Sequence, residues 1–119
     1  MFDFTEEEFN ANINIGFIQI NGRIRNAIRK MFNWYCHIQN IEYNLPYDDG
    51  HIESMRIDSN WIKVQGLIIT GVHRYNLPQP QRNEMNIPSS WIFRENWKEL
   101  IEQQILRDKN EYLIKKLSE

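Results

Sequence analysis

Apolar residues recur at spacings of three and four through the first third of the chain: Phe9, Ile13, Phe17, Ile20, Ile24, Ile28, Met31, Tyr35 and Ile38. That period gathers them into one stripe on a helix. Just ahead of the stripe, Thr5 and Glu8 have the spacing of a capping box, and Phe4 and Phe9 that of a hydrophobic staple. The segment NINIGFIQIN, rich in isoleucine and alternating in part, also suits a strand; the longer helical match outweighs it. An unbroken helix from Thr5 to Asn40 would run on the order of 50 Å. A compact domain of this length has a diameter of roughly 35 Å. A break is therefore expected, either at Gly16 or, preferred here, at the Asn-Gly of NGR, residues 21–23.

The period then changes. HIESMRI, WIKVQ and LIITGVHRY are short, β-branched or aromatic, and separated by Asp58-Ser59-Asn60 and by Gln65-Gly66. They read as three strands of an antiparallel meander, preceded by an Asp-Asp-Gly loop. Residues 75–91, YNLPQPQRNEMNIPSSW, carry Pro78, Pro80 and Pro88 and read as a stiff connecting loop, because each proline fixes φ and removes a donor. NWKELIEQQILRDKNEYLIKKL follows as a closing helix, with Asn96 and Glu99 as a cap pair. Its apolar positions are Trp97, Ile101, Ile105, Leu113 and Leu117, on a four-residue ladder, and Glu111 precedes Lys115 in the favourable orientation for a surface pair. The fold class that follows is α+β: an N-terminal helical region, a small antiparallel meander, and a C-terminal helix packed on the sheet.

Composition changes this picture little. The 119 residues, 41% hydrophobic and 13% aromatic, suffice for one domain spanning 1–119 with a real core. A lone cysteine, Cys36, cannot form an internal disulfide and suits a reducing, cytoplasmic setting. MFDFTEEEF has no basic start and no apolar run, so no secretion signal is read. No apolar run approaches the ~18–20 residues that span a bilayer, so no membrane partner is expected. Isoleucine (18) and asparagine (14) have A/T-rich codons, which suits an AT-rich genome such as that of a phage or mobile element. Net charge is −2, laid out in alternating blocks: −4 over 1–22, +4 over 23–39, −4 over 40–60, +3 over 61–94 and −1 over 95–119. Blocks of that kind mostly neutralise one another within a domain.

Candidate chemistry is sparse. Asp49, His51 and Glu53 would face one way on a strand and could hold a divalent ion with Asp48. A tight turn entering a polar edge strand explains them as well, so no metal and no cofactor is assigned. His37 and His73 lack a companion nucleophile motif. Cys36 and His37 are helix neighbours pointing apart, and Ser89-Ser90 lack a glycine-flanked elbow. In RIRNAIRKMFNWYCH, Arg23 and Lys30 with Asn26 and Asn33 lie along one helical edge, Arg25 and Arg29 along another. They could contact phosphates, although acidic blocks on both sides would repel a polyanion and could pair with them instead. Of the tryptophans, Trp61 and Trp97 are expected inside and Trp34, off the stripe, outside.

The expected function is a small non-catalytic binding protein, an inhibitor or accessory factor of the phage or mobile-element kind, occluding a site on a larger protein. The proline-braced loop would make the contact through Arg74, Tyr75, Gln79, Gln81, Arg82, Glu84 and Met85, aided by Arg23, Arg25, Arg29 and Lys30. Rigid loops lose less entropy on binding. A nucleic-acid-binding regulator using 23–30 is the runner-up and a metal-dependent module or enzyme comes third. A homodimer built on the N-terminal stripe is a further expectation.

Overall fold

A computed structural model of the protein describes residues 2–14, 22–39, 50–68 and 82–118. Helix α1 (Glu6–Asn14) begins as its sequence predicts. The Glu8 amide donates to Thr5 Oγ1 at 3.1 Å, and the Phe4 and Phe9 rings stack with centroids 6.4 Å apart. Glu6, Glu7 and Glu8 fill the first turn, where the helix dipole favours negative charge. Helix α2 spans Gly22–Gln39; residues 15–21, which hold Gly16 and Asn21 of the expected break sites, lie outside the described residues. The predicted stripe, apart from Phe17 and Ile20, which lie outside the described residues, becomes core. Phe9, Ile24, Ile28 and Met31 are buried, and Ile13, Tyr35 and Ile38 pack against them. Ala27, Phe32 and Cys36 widen the buried face of α2 beyond that stripe.

Among the described residues, three antiparallel strands follow in the order β1-β2-β3: β1 (Gly50–Ile57), β2 (Trp61–Ile68) and β3 (Arg82–Pro88). The class is α+β. The strands differ from their sequence assignment in two respects. Gln65-Gly66 is no turn: it lies within β2, with Gly66 paired to Ile52 on one side and Asn83 on the other. Residues 69–75 of the expected strand LIITGVHRY lie outside the described residues, and the third described strand falls inside the stretch read as a proline-braced loop. Pro88 ends that strand at the edge of the described sheet, where a missing donor is tolerated.

Across the sheet, Ile62, Val64, Met85 and Ile87 are buried, while Lys63, Gln65, Glu84 and Asn86 are exposed. Strict alternation would send Ile52 and Met55 to opposite faces. A bulge between Ile52 and Ser54 inserts one residue, so Ile52, Met55 and Ile57 all pack against the core. The β1–β2 turn is closed by Asp58, whose Oδ1 accepts from the amides of Asn60 and Trp61, each at 2.7 Å. Those two bonds hold its carboxyl below the usual carboxylate range. Ser89 ties the turn to the end of β3, its hydroxyl donating to the Asp58 carbonyl at 2.7 Å and its amide to the Asn60 carbonyl at 2.9 Å.

After a short 3-10 helix (Ser89–Phe93), α3 (Trp97–Leu117) packs its first half on α2 through Ile101 and Ile105. Gln104 Nε2 donates to the Asn86 carbonyl at 2.9 Å, tying the helix to β3. Asn96 occupies the cap position without a side-chain cap bond, so the expected cap pair does not form. The ladder also fails beyond Ile105: Leu113 and Leu117 are 53% and 85% exposed. A four-residue step overshoots a 3.6-residue turn by roughly 40°. Three steps from Ile101 therefore carry Leu113 about 120° off the buried face.

Candidate functional site

A concave feature lies where the N-terminal arm, α2 and the first turn of α3 meet. It is an open groove of roughly 690 Å³. Phe2 comes from the arm, Lys30, Asn33, Trp34 and His37 from the exposed edge of α2, and Trp97 with Lys98 from α3. The helical period explains the α2 contribution, since residues three and four apart share an edge.

The aromatic wall is fixed by direct contacts. Trp34 Nε1 donates to the Lys98 carbonyl at 3.0 Å. The Lys98 ammonium lies 5.0 Å from the Trp34 ring centroid and 5.6 Å from that of Trp97, within cation–π range. Phe2 stacks on Trp97 at 5.5 Å, and His37 sits tilted 5.6 Å from Trp34. Behind the wall, Phe4 stacks on Phe2 and meets Phe93 edge-on. The groove thus offers flat apolar faces beside two ammonium groups and an imidazole. No carboxylate is among the described residues lining it.

The four cations proposed from sequence do not act as one surface. Arg23 donates to Glu8 Oε2 and to the Asp3 carbonyl, both at 3.1 Å, so the pairing of a basic block with a neighbouring acidic one is realised there. Arg25 and Arg29 are exposed and do not line the groove. Lys30 alone lines the groove.

The loop proposal fares differently. Arg74, Tyr75, Gln79 and Gln81 lie outside the described residues. Arg82 opens β3 opposite Leu67, and Glu84 is exposed on the face of the sheet opposite Met85. Met85 is a correction: it is 0% exposed, cross-strand from Val64, and belongs to the core rather than to a contact surface. The strand period turns it inward while its neighbours point out.

Asp49 is likewise outside the described residues, and Glu53 sits at the bulge, where same-face spacing is lost. Among the described residues no group of three or more His, Cys, Asp or Glu side chains is placed to hold a metal ion. Cys36 is fully buried and burial pushes its thiol up to about 12, which keeps it protonated and inert. Ser89 is buried in the turn contacts given above. Trp61, expected inside, is 43% exposed on the open face of β2, and Trp97 is half-buried in the groove.

Sequence reasoning missed Lys98 and Phe2. The only signal for the groove was Trp34 standing off the apolar stripe beside Lys30 and His37. No helix described is long and apolar enough to cross a membrane. No protein-family model matches the chain, and comparison with curated proteins and with solved structures gives no match.

Proposed function

We propose that the protein is a small binding protein that docks on a larger protein through the aromatic and lysine-lined groove. Its complement is an acidic segment carrying an aromatic or long apolar side chain. Occluding a functional surface of that partner is the mode of action. One observation carries the reading: the Lys98 ammonium held between two tryptophan rings, one of them pinned by its indole N–H. Rings fixed before binding lose little entropy on contact, and tryptophan is among the residues that dominate binding energy. The lysines supply attraction for carboxylates that the flat rings cannot.

A nucleic-acid reading is less well supported. Arg25 and Arg29 do not line the groove that holds Lys30, and Arg23 is engaged by Glu8, so a phosphate backbone would find a broken basic track.

Intrinsic tryptophan fluorescence tests the proposal, using short synthetic peptides with a central tryptophan-free aromatic residue flanked by aspartates. Binding is expected for the acidic peptide and not for its lysine-flanked twin. Lys98→Glu should weaken it at least tenfold, whereas Arg25→Ala should leave it unchanged. Equal affinity for both peptides, or an acidic peptide held as tightly by Lys98→Glu, would remove the groove from the function. A single-stranded oligonucleotide bound with steep salt dependence and lost on Arg25→Ala would favour the nucleic-acid reading instead.

A further inference from the structure

Among the described residues, the second half of helix α3 has little packed against it. From Leu106 to Ser118 every residue except Lys109 is exposed. Yet Leu106, Leu113, Ile114 and Leu117 stand 55%, 53%, 64% and 85% open to solvent. A solvated helix end has no use for so much aliphatic surface, and few turns of isolated helix are stable in water. The spacing is informative. Leu106, Asn110, Leu113 and Leu117 follow one another by four, three and four residues, the rhythm of a coiled-coil seam.

We propose that this seam pairs with the same seam of a second copy of the chain, the two helices lying parallel with Asn110 facing Asn110. Leu113, on the near side of the seam, shares a pocket with Gln39 of α2 and with Ile105, while Leu106, Asn110 and Leu117 are exposed farther around the helix. At about 100° per residue the seam lies roughly 80–180° around the helix from Ile101 and Ile105, so a second copy can approach from the side opposite those two contacts. Its flanking charges fit a parallel partner. Glu102 and Arg107, both exposed and five residues apart, occupy the flanking positions that meet across a parallel pair, and symmetry makes the match twice. An antiparallel pairing would instead bring Lys109 and Lys116 of one copy toward those of the other. A single asparagine in an otherwise leucine seam sets register and favours two strands at a cost in stability. The seam is short, so the dimer is reversible.

Parallel pairing has a functional consequence. The groove is built on the first turn of α3, so both copies present it at the same end of the dimer. A partner that is itself symmetric, or carries the recognised segment twice, gains avidity.

Sedimentation of the full chain from micromolar to millimolar concentration tests pairing. The expected result is a monomer–dimer equilibrium that Leu113→Glu weakens at least tenfold, with the dilute protein melting as the wild type does. Ser118→Cys, tested under mild oxidation, reads orientation: parallel pairing gives a disulfide-linked dimer that the added Leu113→Glu change prevents. A chain monomeric throughout, a dimer indifferent to Leu113→Glu, or a dimer in which Ser118→Cys does not cross-link would each overturn the proposal.

Discussion

Met85 and Glu84 are adjacent in sequence, and the structure assigns them opposite fates. Met85 is 0% exposed, cross-strand from Val64 on the helix-covered face, while Glu84 is exposed beside Gln65. Replacing a fully buried methionine by alanine removes its transfer free energy and leaves a cavity, which together cost about 2–5 kcal/mol. With an unfolding entropy near 2.1 cal/mol/K per residue, a chain of this length loses roughly 4 °C in melting temperature per kcal/mol. Met85→Ala should therefore melt roughly 8–20 °C below wild type. Glu84→Ala, with no buried contact to lose, should stay within about 0.5 kcal/mol. Urea unfolding checks the assignment, because a change confined to stability moves the midpoint and leaves the slope alone. If Met85→Ala matched the wild-type midpoint, residues 82–88 would not be a core strand in the described register. The sheet would then be two-stranded, and the loop reading of the whole 75–91 stretch would return.

Two pH-dependent predictions follow from single groups. Cys36 ionises near 9.0 when solvated and near 12 when buried in the fold, so above pH 9 the native state binds more protons than the unfolded one. Stability on its account is intact below pH 9 and falls as pH rises toward 12; Cys36→Ala should flatten that part of an alkaline melting series, whatever its effect at pH 7, and an unaltered slope would contradict the burial argument. Asp58 runs the other way. Its carboxyl titrates lower in the fold than its ordinary 3.8 because the Asn60 and Trp61 amides hold the charged form. Its contribution is present above that value and is lost as pH falls through the folded pKa. The stability gap between wild type and Asp58→Ala should narrow in acid, and a gap independent of pH would mean the turn does not depend on the carboxylate.

What the sequence disclosed was local, and what it concealed depended on partners distant along the chain. Thr5 with Glu8 and Phe4 with Phe9 interact across a single helical turn, so their spacing alone announced the start of α1. The core stripe of α2 was legible for the same reason. β3 was not, because its inward positions are Asn83, Met85 and Ile87. A buried asparagine breaks the alternation that marks a strand, and three prolines nearby argue for a loop. Gly66 read as a turn residue because glycine weakens strands. It sits instead across from the β1 bulge, a distortion created by the odd spacing of Ile52 and Met55 and visible only once both are seen to face the helices. The α3 ladder misled by its regularity: a strict step of four drifts around the helix, and the sequence does not say where the supporting body ends.

The groove escaped sequence reading because it is assembled from three separated segments, yet its components are tied to the parts that were legible. Phe9 meets Phe93 edge-on at 5.5 Å, Phe4 bridges to both, and Phe2 carries the contact on to Trp97. A continuous run of rings thus joins the staple that starts α1 to the wall that holds Lys98. Each ring in that run is both a packing partner for the one behind and a boundary for the one in front. The arm bearing Phe2 consequently takes its position from the core rather than from its own short backbone. The residues that begin the fold therefore also set one wall of the groove, so mutations at the staple should be read for binding as well as for stability.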